Sequence, residues 1–354
     1  MAIALVVGFV AIEAIARVLN ARRGRLPKIY RTTRSPLFWV DVNPNFGVWH
    51  PANATFHHVG DCFDAVYHTN SYGARDAERA RVSSMRRHIV LGDSFVEGYG
   101  VAEGDRLTDR LNLTTGDEFL NFGTSGGFGT IQELMLYRTL ASTFEHADVL
   151  LFVLPVNDFS DNDPRYWSSR RYRPYLRRTQ SGFEIYYTVP FESRDRDLLT
   201  AGHVFWNALS NHSAAVNLAR QVIEHRLPHD LTPDYTSYTG HSAEELNLLT
   251  EAVRELAVSA EPRAVHVFFI PLQEDLDGYL LRGTRYELLD KVRARLRDTR
   301  SVVVNDLLPA FAEYATQHRM QTSSFFLPCD GHWTSLGNAV AADAVRRAMS
   351  DDNQ

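Results

Sequence analysis

From residue 88 onward the chain repeats one pattern: a short apolar run closed by glycine, proline or polar residues, then a stretch with apolar residues at helical spacing. The runs 88–91 (HIVL, closed by Gly92), 118–122 (EFLNF) and 148–154 (DVLLFVL) read as buried strands, because a parallel strand covered on both faces is apolar on both faces. Val265–Ile270, ended by Pro271, and Val302–Val304 continue the series. Helical spacing is found over Ile131–Leu140, Ala214–His225 and Ala243–Ala257, over a stretch opened by Thr284 and running to about Arg297, and over Ser335–Met349. Alternating strands and helices predict an α/β domain over 85–350, with a central parallel sheet between two helical layers.

Residues 160–210 break this rhythm. Tyr175–Gln180 and Phe183–Val189 flank Ser181-Gly182, which predicts a hairpin inserted beside the carboxyl edge of the sheet. Its aromatic residues (Tyr166, Trp167, Tyr172, Tyr175, Phe183, Tyr186, Tyr187) either pack it onto the domain or stack on sugar rings. Residues 25–84 form a lead-in; from Asn43 to Asp76 it is rich in Asn, His, Gly and aromatics without sustained period, as expected of irregular structure with short strands.

Residues 1–19 are almost wholly apolar except for Glu13 and Arg17, and a basic stretch follows from Arg22 to Arg34. At roughly 1.5 Å per residue the run barely matches a hydrocarbon core, and it lacks the basic start and cleavage site of a signal peptide. Residues 1–24 are therefore expected to be a membrane anchor, with the domain over 85–350 extracytoplasmic (periplasmic). Literal counting of the basic flank favours the cytoplasm instead, and a buried or amphipathic helix of a soluble protein is the third alternative.

Composition narrows the partners. A chain of 354 residues with 44% hydrophobic and 23% charged residues suits one large folded domain with added segments. A formal net charge of −6 argues against nucleic acid as the main partner, and the basic cluster from Arg165 to Arg178 reads as a solvated face. Two cysteines exclude a disulfide scaffold and a multi-cysteine zinc module, leaving a single Cys62–Cys329 bridge as an open alternative to two free thiols. No pattern calls for a cofactor or metal. His57-His58 lack ligand spacing, Asp158, Asp161 and Asp163 lack a calcium loop, and the glycines near 125 lack the dinucleotide fingerprint.

Candidate chemistry gathers at the carboxyl ends of the predicted strands, where open α/β sheets place ligands. Ser94 follows the first core strand in Leu91-Gly92-Asp93-Ser94-Phe95, with Asp93 suited to hold the loop by hydrogen bonding. A serine hydroxyl needs a base to take its proton and donors to stabilise the oxyanion. Pro328-Cys329-Asp330-Gly331-His332-Trp333 supplies His332 as base and Asp330 to orient it. Phe122-Gly123-Thr124-Ser125-Gly126-Gly127 offers backbone N–H groups after the second strand, and Val156-Asn157-Asp158 a carboxamide after the third. A rival reading takes Gly123-Thr124-Ser125-Gly126-Gly127 as a G-x-S-x-G nucleophile elbow with Ser125 attacking and Asp306 as the acid. Gly127 and Gly129 delay the helix that should follow such a serine at once.

The ordered blocks Gly-Asp-Ser-Phe, glycine loop, Asn-Asp and Asp-x-His resemble the SGNH (GDSL) hydrolase superfamily over about residues 88–349. The resemblance implies a flavodoxin-like three-layer α/β/α fold, Ser94 as nucleophile, His332 as base, and Asp330 as its partner. The Ser94 N–H, Gly126 N–H and Asn157 side chain would form the oxyanion hole. Thr69-Asn70-Ser71-Tyr72-Gly73-Ala74-Arg75-Asp76 also resembles the Asn-x-x-Gly-x-Arg segment of membrane-anchored bacterial members, here expected to dock the lead-in onto the domain. Two departures stand out. The family usually has its acid three residues before the histidine, which here is Cys329, whereas Asp330 matches the Asp-x-His-Trp variant of polysaccharide acetyltransferase relatives. Pro155-Val156 precedes Asn157 where many relatives have glycine. The implied activity is a serine esterase cleaving acetyl or short acyl esters of a small molecule or acylated glycan. An O-acyltransferase of a cell-envelope polysaccharide and an inactive polysaccharide-binding or assembly module are the alternatives.

Overall fold

A computed structural model of the chain describes residues 2–23, 31–33, 38–60, 62–167, 171–180, 182–193, 205, 209, 212–216, 218–219 and 237–351. The lead-in contributes β1 (Arg31–Thr33), β2 (Val40–Asn43), β3 (Gly47–Trp49), β4 (Thr55–Val59) and β5 (Asp64–His68). Strands β2 and β3 pair as an antiparallel ribbon, while β1, β4 and β5 form an antiparallel sheet in that order. Phe38, Phe56, Ala65 and Tyr67 form a small buried cluster, and Phe46, Val48 and Trp49 join the main core.

The main sheet is built from β6 (Arg87–Gly92), β7 (Glu118–Gly123) and β8 (Asp148–Val153). After the inserted hairpin β9 (Pro174–Thr179) and β10 (Gly182–Tyr187), it is completed by β11 (Val265–Phe269) and β12 (Val302–Asp306). All five strands are parallel, in the order β12-β11-β8-β6-β7. Numbered by their own succession this is the flavodoxin-like order 2-1-3-4-5, whose direction of winding reverses between β6 and β8. Ile89, Val90 and Leu91 of β6 and Val149 to Val153 of β8 have no exposed surface, as strands covered on both faces require.

Each predicted core strand is present, with ends shifted by at most two residues. Helices over Thr130–Thr139, Ala243–Ala260 and Ser335–Asp351 lie where the spacing puts them. The helix expected from Thr284 begins only at Leu288, and a separate helix, Gln273–Arg282, precedes it and stops at Gly283 in the left-handed region (φ +64°). Leu308–His318 is a further helix outside the sequence reading, with Pro309 in its first turn. Of Ala214–His225, only 214–216 and 218–219 are described, and they are helical; the rest of that expectation lies outside the described residues.

The hairpin forms at the predicted place. Tyr175 is fully buried, and Tyr172 stacks on Tyr187 with centroids 4.8 Å apart at 9°. The hydroxyls of Tyr172 and Tyr187 donate to the carbonyls of Pro44 and Asn45 (2.6 Å each), so these rings pack the insert against the lead-in.

Ala2–Arg23 is one helix. Its Glu13 accepts from Ser213 Oγ (2.7 Å) and from the N–H groups of Ala214 and Ala215 (3.0 Å each), while Arg17 donates to Glu13 (2.6 Å) and to the His212 carbonyl (2.8 Å). The aliphatic side chains point outward, Val7 being 62%, Val10 60% and Ile12 59% exposed. Among the described residues no helix is long and apolar enough to cross a membrane.

Candidate active site

Ser94 opens a four-residue helix, Ser94–Glu97, directly after β6, and a longer helix, Leu107–Thr115, follows. Asp93 caps this short helix by accepting from the Phe95 N–H (2.9 Å). The turn packs so closely on β7 that a Cβ on Gly123 would lie 2.3 Å from the Glu97 nitrogen, which requires glycine there. Ser94 therefore sits at the carboxyl end of the sheet, beside the point where its winding reverses.

His332 reaches the same point from the loop before the C-terminal helix. Its Nε2 is 2.7 Å from Ser94 Oγ and its Nδ1 is 2.9 Å from Asp330 Oδ1, and Asp330 also accepts from the His332 N–H (3.2 Å). With Nδ1–H donated to Asp330, Nε2 is free to accept the serine proton. The two-residue spacing reaches the imidazole because Gly331 adopts φ +87° between acid and base. Cys329, three residues before His332, forms a disulfide with Cys62 (Cα–Cα 5.7 Å) that ties this loop to the lead-in.

Asn157 lies in the helix Pro155–Asp161, because Pro155 starts a helix immediately after β8. Its Nδ2 donates to Asp93 Oδ2 (2.9 Å) with one hydrogen, leaving the other for a ligand. Burial raises the Asp93 carboxyl to about 6, opposed by the hydrogen bonds from Asn157 and Phe95 and by the proximity of His332. Asp93 thus couples nucleophile turn and carboxamide, beyond the loop-holding role read from sequence.

Ser125 belongs to a different set of contacts. It is buried, its N–H donates to Glu97 Oε2 (2.7 Å), and its hydroxyl donates to the same oxygen. Glu97 Oε1 accepts from Trp39 Nε1 (3.0 Å) and lies 3.2 Å from His50 Nε2. Burial alone raises the Glu97 carboxyl, but hydrogen bonding and charge from His50, with Arg75 and Ser125, bring it down to about 2. A serine hydroxyl held by a carboxylate, with no imidazole as its partner, lacks the geometry of an activated nucleophile. Asp306, the acid of that rival reading, accepts instead from the Tyr238 hydroxyl (2.9 Å) and the Leu308 N–H (2.9 Å).

The next residue, Gly126, has φ +96°, and its carbonyl accepts from Arg171 (2.6 Å), while the Gly127 carbonyl accepts from the buried Arg173 (2.9 Å). Insert and nucleophile turn thus clamp the glycine loop from two sides. Arg75, from the segment expected to dock the lead-in, spans the carbonyls of Glu97 (3.0 Å), Gly98 (2.5 Å) and Val101 (2.7 Å). It supplies donors to the end of the Ser94 helix, where carbonyls lack helical partners. Sequence reasoning missed Glu97, His50 and Trp39, and it read Arg171 only as part of a solvated basic face, whereas Arg171 donates to the Gly126 carbonyl. Only Arg75 carried a signal, through its motif.

Asp158, Asp161 and Asp163 each have local partners. Asp158 accepts from Thr130 Oγ1 (2.6 Å), Asp161 pairs with Arg173 (3.0 Å), and Asp163 pairs with Arg165. No group of histidine, cysteine and acidic side chains suited to a metal occurs among the described residues.

No protein-family model matches the chain, and no curated protein matches it. Among solved structures it is similar to the lipase/acylhydrolase from Enterococcus faecalis, at 12% identity over 76% of this chain and 97% of that one, with a TM-score of 0.41. It is also similar to a member of the lipolytic protein G-D-S-L family from Veillonella parvula DSM 2008, at 13% identity over 75% of this chain and 98% of that one, with a TM-score of 0.38.

Proposed function

We propose that this protein is an SGNH-type serine esterase that cleaves an acetyl or short acyl ester through an acyl-enzyme. The observation that carries the reading is the chain from Ser94 through His332 to Asp330, with contacts of 2.7 and 2.9 Å, at the reversal point of the sheet. His332 takes the Ser94 proton as Oγ attacks the ester carbonyl, and Asp330 steadies the imidazolium. The Ser94 N–H, Gly126 N–H and Asn157 Nδ2–H stabilise the oxyanion. Collapse of the tetrahedral intermediate expels the alcohol, which leaves with the proton from His332. Water, activated by the same base, then releases the acid.

Short p-nitrophenyl esters and a fluorophosphonate probe test this directly. Wild type should turn over the ester and carry one phosphonyl group on Ser94, with Ser94→Ala doing neither; a folded wild type that neither labels nor hydrolyses sinks the reading. The Cys62–Cys329 bridge favours an oxidising compartment, and the outward aliphatic face of Ala2–Arg23 favours attachment to a membrane. Fractionation with protease accessibility tests both: a fully soluble protein in a reducing compartment contradicts them.

A further inference from the structure

We propose that Tyr99 is a positioning residue for His332, its ring forming a π-face that holds the imidazole in plane and stabilises the imidazolium; this rests on the reading of His332 as the base. In-plane contacts occupy both ring nitrogens, Nε2 on Ser94 and Nδ1 on Asp330. They leave rotation about the line between them to be limited by what packs on the ring. The Tyr99 ring lies 4.3 Å from it at an interplanar angle of 24°, and Phe95 lies 4.7 Å away at 34°. A flat ring at stacking distance offers the negative face of its quadrupole, which attracts the imidazole more strongly once it is protonated.

Tyr99 is itself braced by the lead-in. Trp39 stacks near it (6.2 Å, 29°), while His58 (4.7 Å, 85°) and Phe63 (5.5 Å, 72°) meet it edge-on. Phe63 follows Cys62, whose disulfide returns to Cys329 in the loop of His332. Base and stacking ring are thus fastened to one support. Charged and titratable groups near the base are Asp330 at its Nδ1, Asp93 before the nucleophile, and His58 behind Tyr99, which in turn feels the charges of Glu97 and Arg75. Among the described residues, Tyr99 and Phe95 meet the imidazole ring to ring, so replacing Tyr99 tests the π-face while leaving those charges in place.

The test is the titration of the His332 ring followed by NMR in the full-length protein, assigned with His332→Gln, for wild type, Tyr99→Phe, Tyr99→Leu and Tyr99→Met. Tyr99→Leu should lower the His332 midpoint by about 0.4 to 1.5 pH units, and Tyr99→Phe should keep it. With p-nitrophenyl acetate, Tyr99→Leu should lower kcat by about 2- to 30-fold with KM little changed, and the acid limb of the profile should move with the NMR midpoint. Tyr99→Met, unbranched and similar in length, gives the same reading if the leucine variant does not fold. An unshifted or raised midpoint in either folded aliphatic variant overturns the proposal, as does a Tyr99→Phe variant as perturbed as Tyr99→Leu. The NMR midpoint is read without substrate, so loss of the esterase reading leaves this result separately visible.

Discussion

Replacing Ser125 by alanine separates the two serines that sequence offers as nucleophile. Glu97 is fully buried and takes four contacts: Trp39 Nε1, His50 Nε2, the Ser125 N–H and the Ser125 hydroxyl. Ser125→Ala removes one of them. A hydrogen bond to a charged group is worth about 1.5–3 kcal/mol, and the other three remain to offset burial of the carboxylate, so a stability loss of about that size is expected. The backbone contacts that set the glycine loop, Ser125 N–H to Glu97 and Arg171 to the Gly126 carbonyl, do not involve the hydroxyl. Turnover should therefore stay within about tenfold of wild type, whereas loss of a nucleophilic serine costs on the order of 10⁶. Urea unfolding gives the first quantity, and kcat/KM on p-nitrophenyl acetate, with Ser94→Ala alongside, gives the second. An inactive Ser125→Ala protein of unchanged stability, or an active Ser94→Ala protein, refutes the assignment.

Glu97 also predicts an acid sensitivity. Its carboxyl falls from 4.5 to about 2 on folding, so its stabilisation is complete above about pH 4.5 and is lost as pH falls toward 2, amounting to about 3 kcal/mol. Asp148, likewise lowered to about 2, acts in the same window, so the measurement is the difference in urea midpoints between wild type and Glu97→Gln against pH; parallel curves contradict the prediction. Breaking the disulfide by Cys62→Ser with Cys329→Ser should cost about 2–4 kcal/mol and lower turnover by loosening the His332 loop, and equal unfolding midpoints for variant and parent would count against it. Asn157→Ala should reduce kcat by about 10²–10³ if its amide stabilises the oxyanion. An unchanged kcat removes Asn157 from that role.

The five core strands were legible because each is an apolar run bounded by residues that end strands, a property written locally in the chain. The helices were less so. Pro155–Asp161 is short and opens with proline, and Leu308–His318 carries Pro309 in its first turn, a residue that equally marks a loop. Ser94, His332 and Asp330 could be named because their types and order carry chemistry, and the structure brings all three together. Glu97, His50, Trp39 and Tyr99 were invisible for a physical reason. Their contacts join residues dozens of positions apart, such as Trp39 with Glu97 and Tyr99 with His332, and side-chain pairing across that distance leaves no periodicity to read. Arg75 was noticed through its motif, but its three carbonyl contacts depend on where the chain returns at 97–101.

The bridge between Cys62 and Cys329 joins the only two cysteines in the chain. Oxidative maturation therefore has a single possible intramolecular outcome, so an oxidant suffices and no disulfide shuffling within the chain is needed. The cost falls on timing. Cys62 is made long before Cys329, and until Cys329 emerges it has no partner within the chain, which leaves it open to mixed disulfides with other thiols.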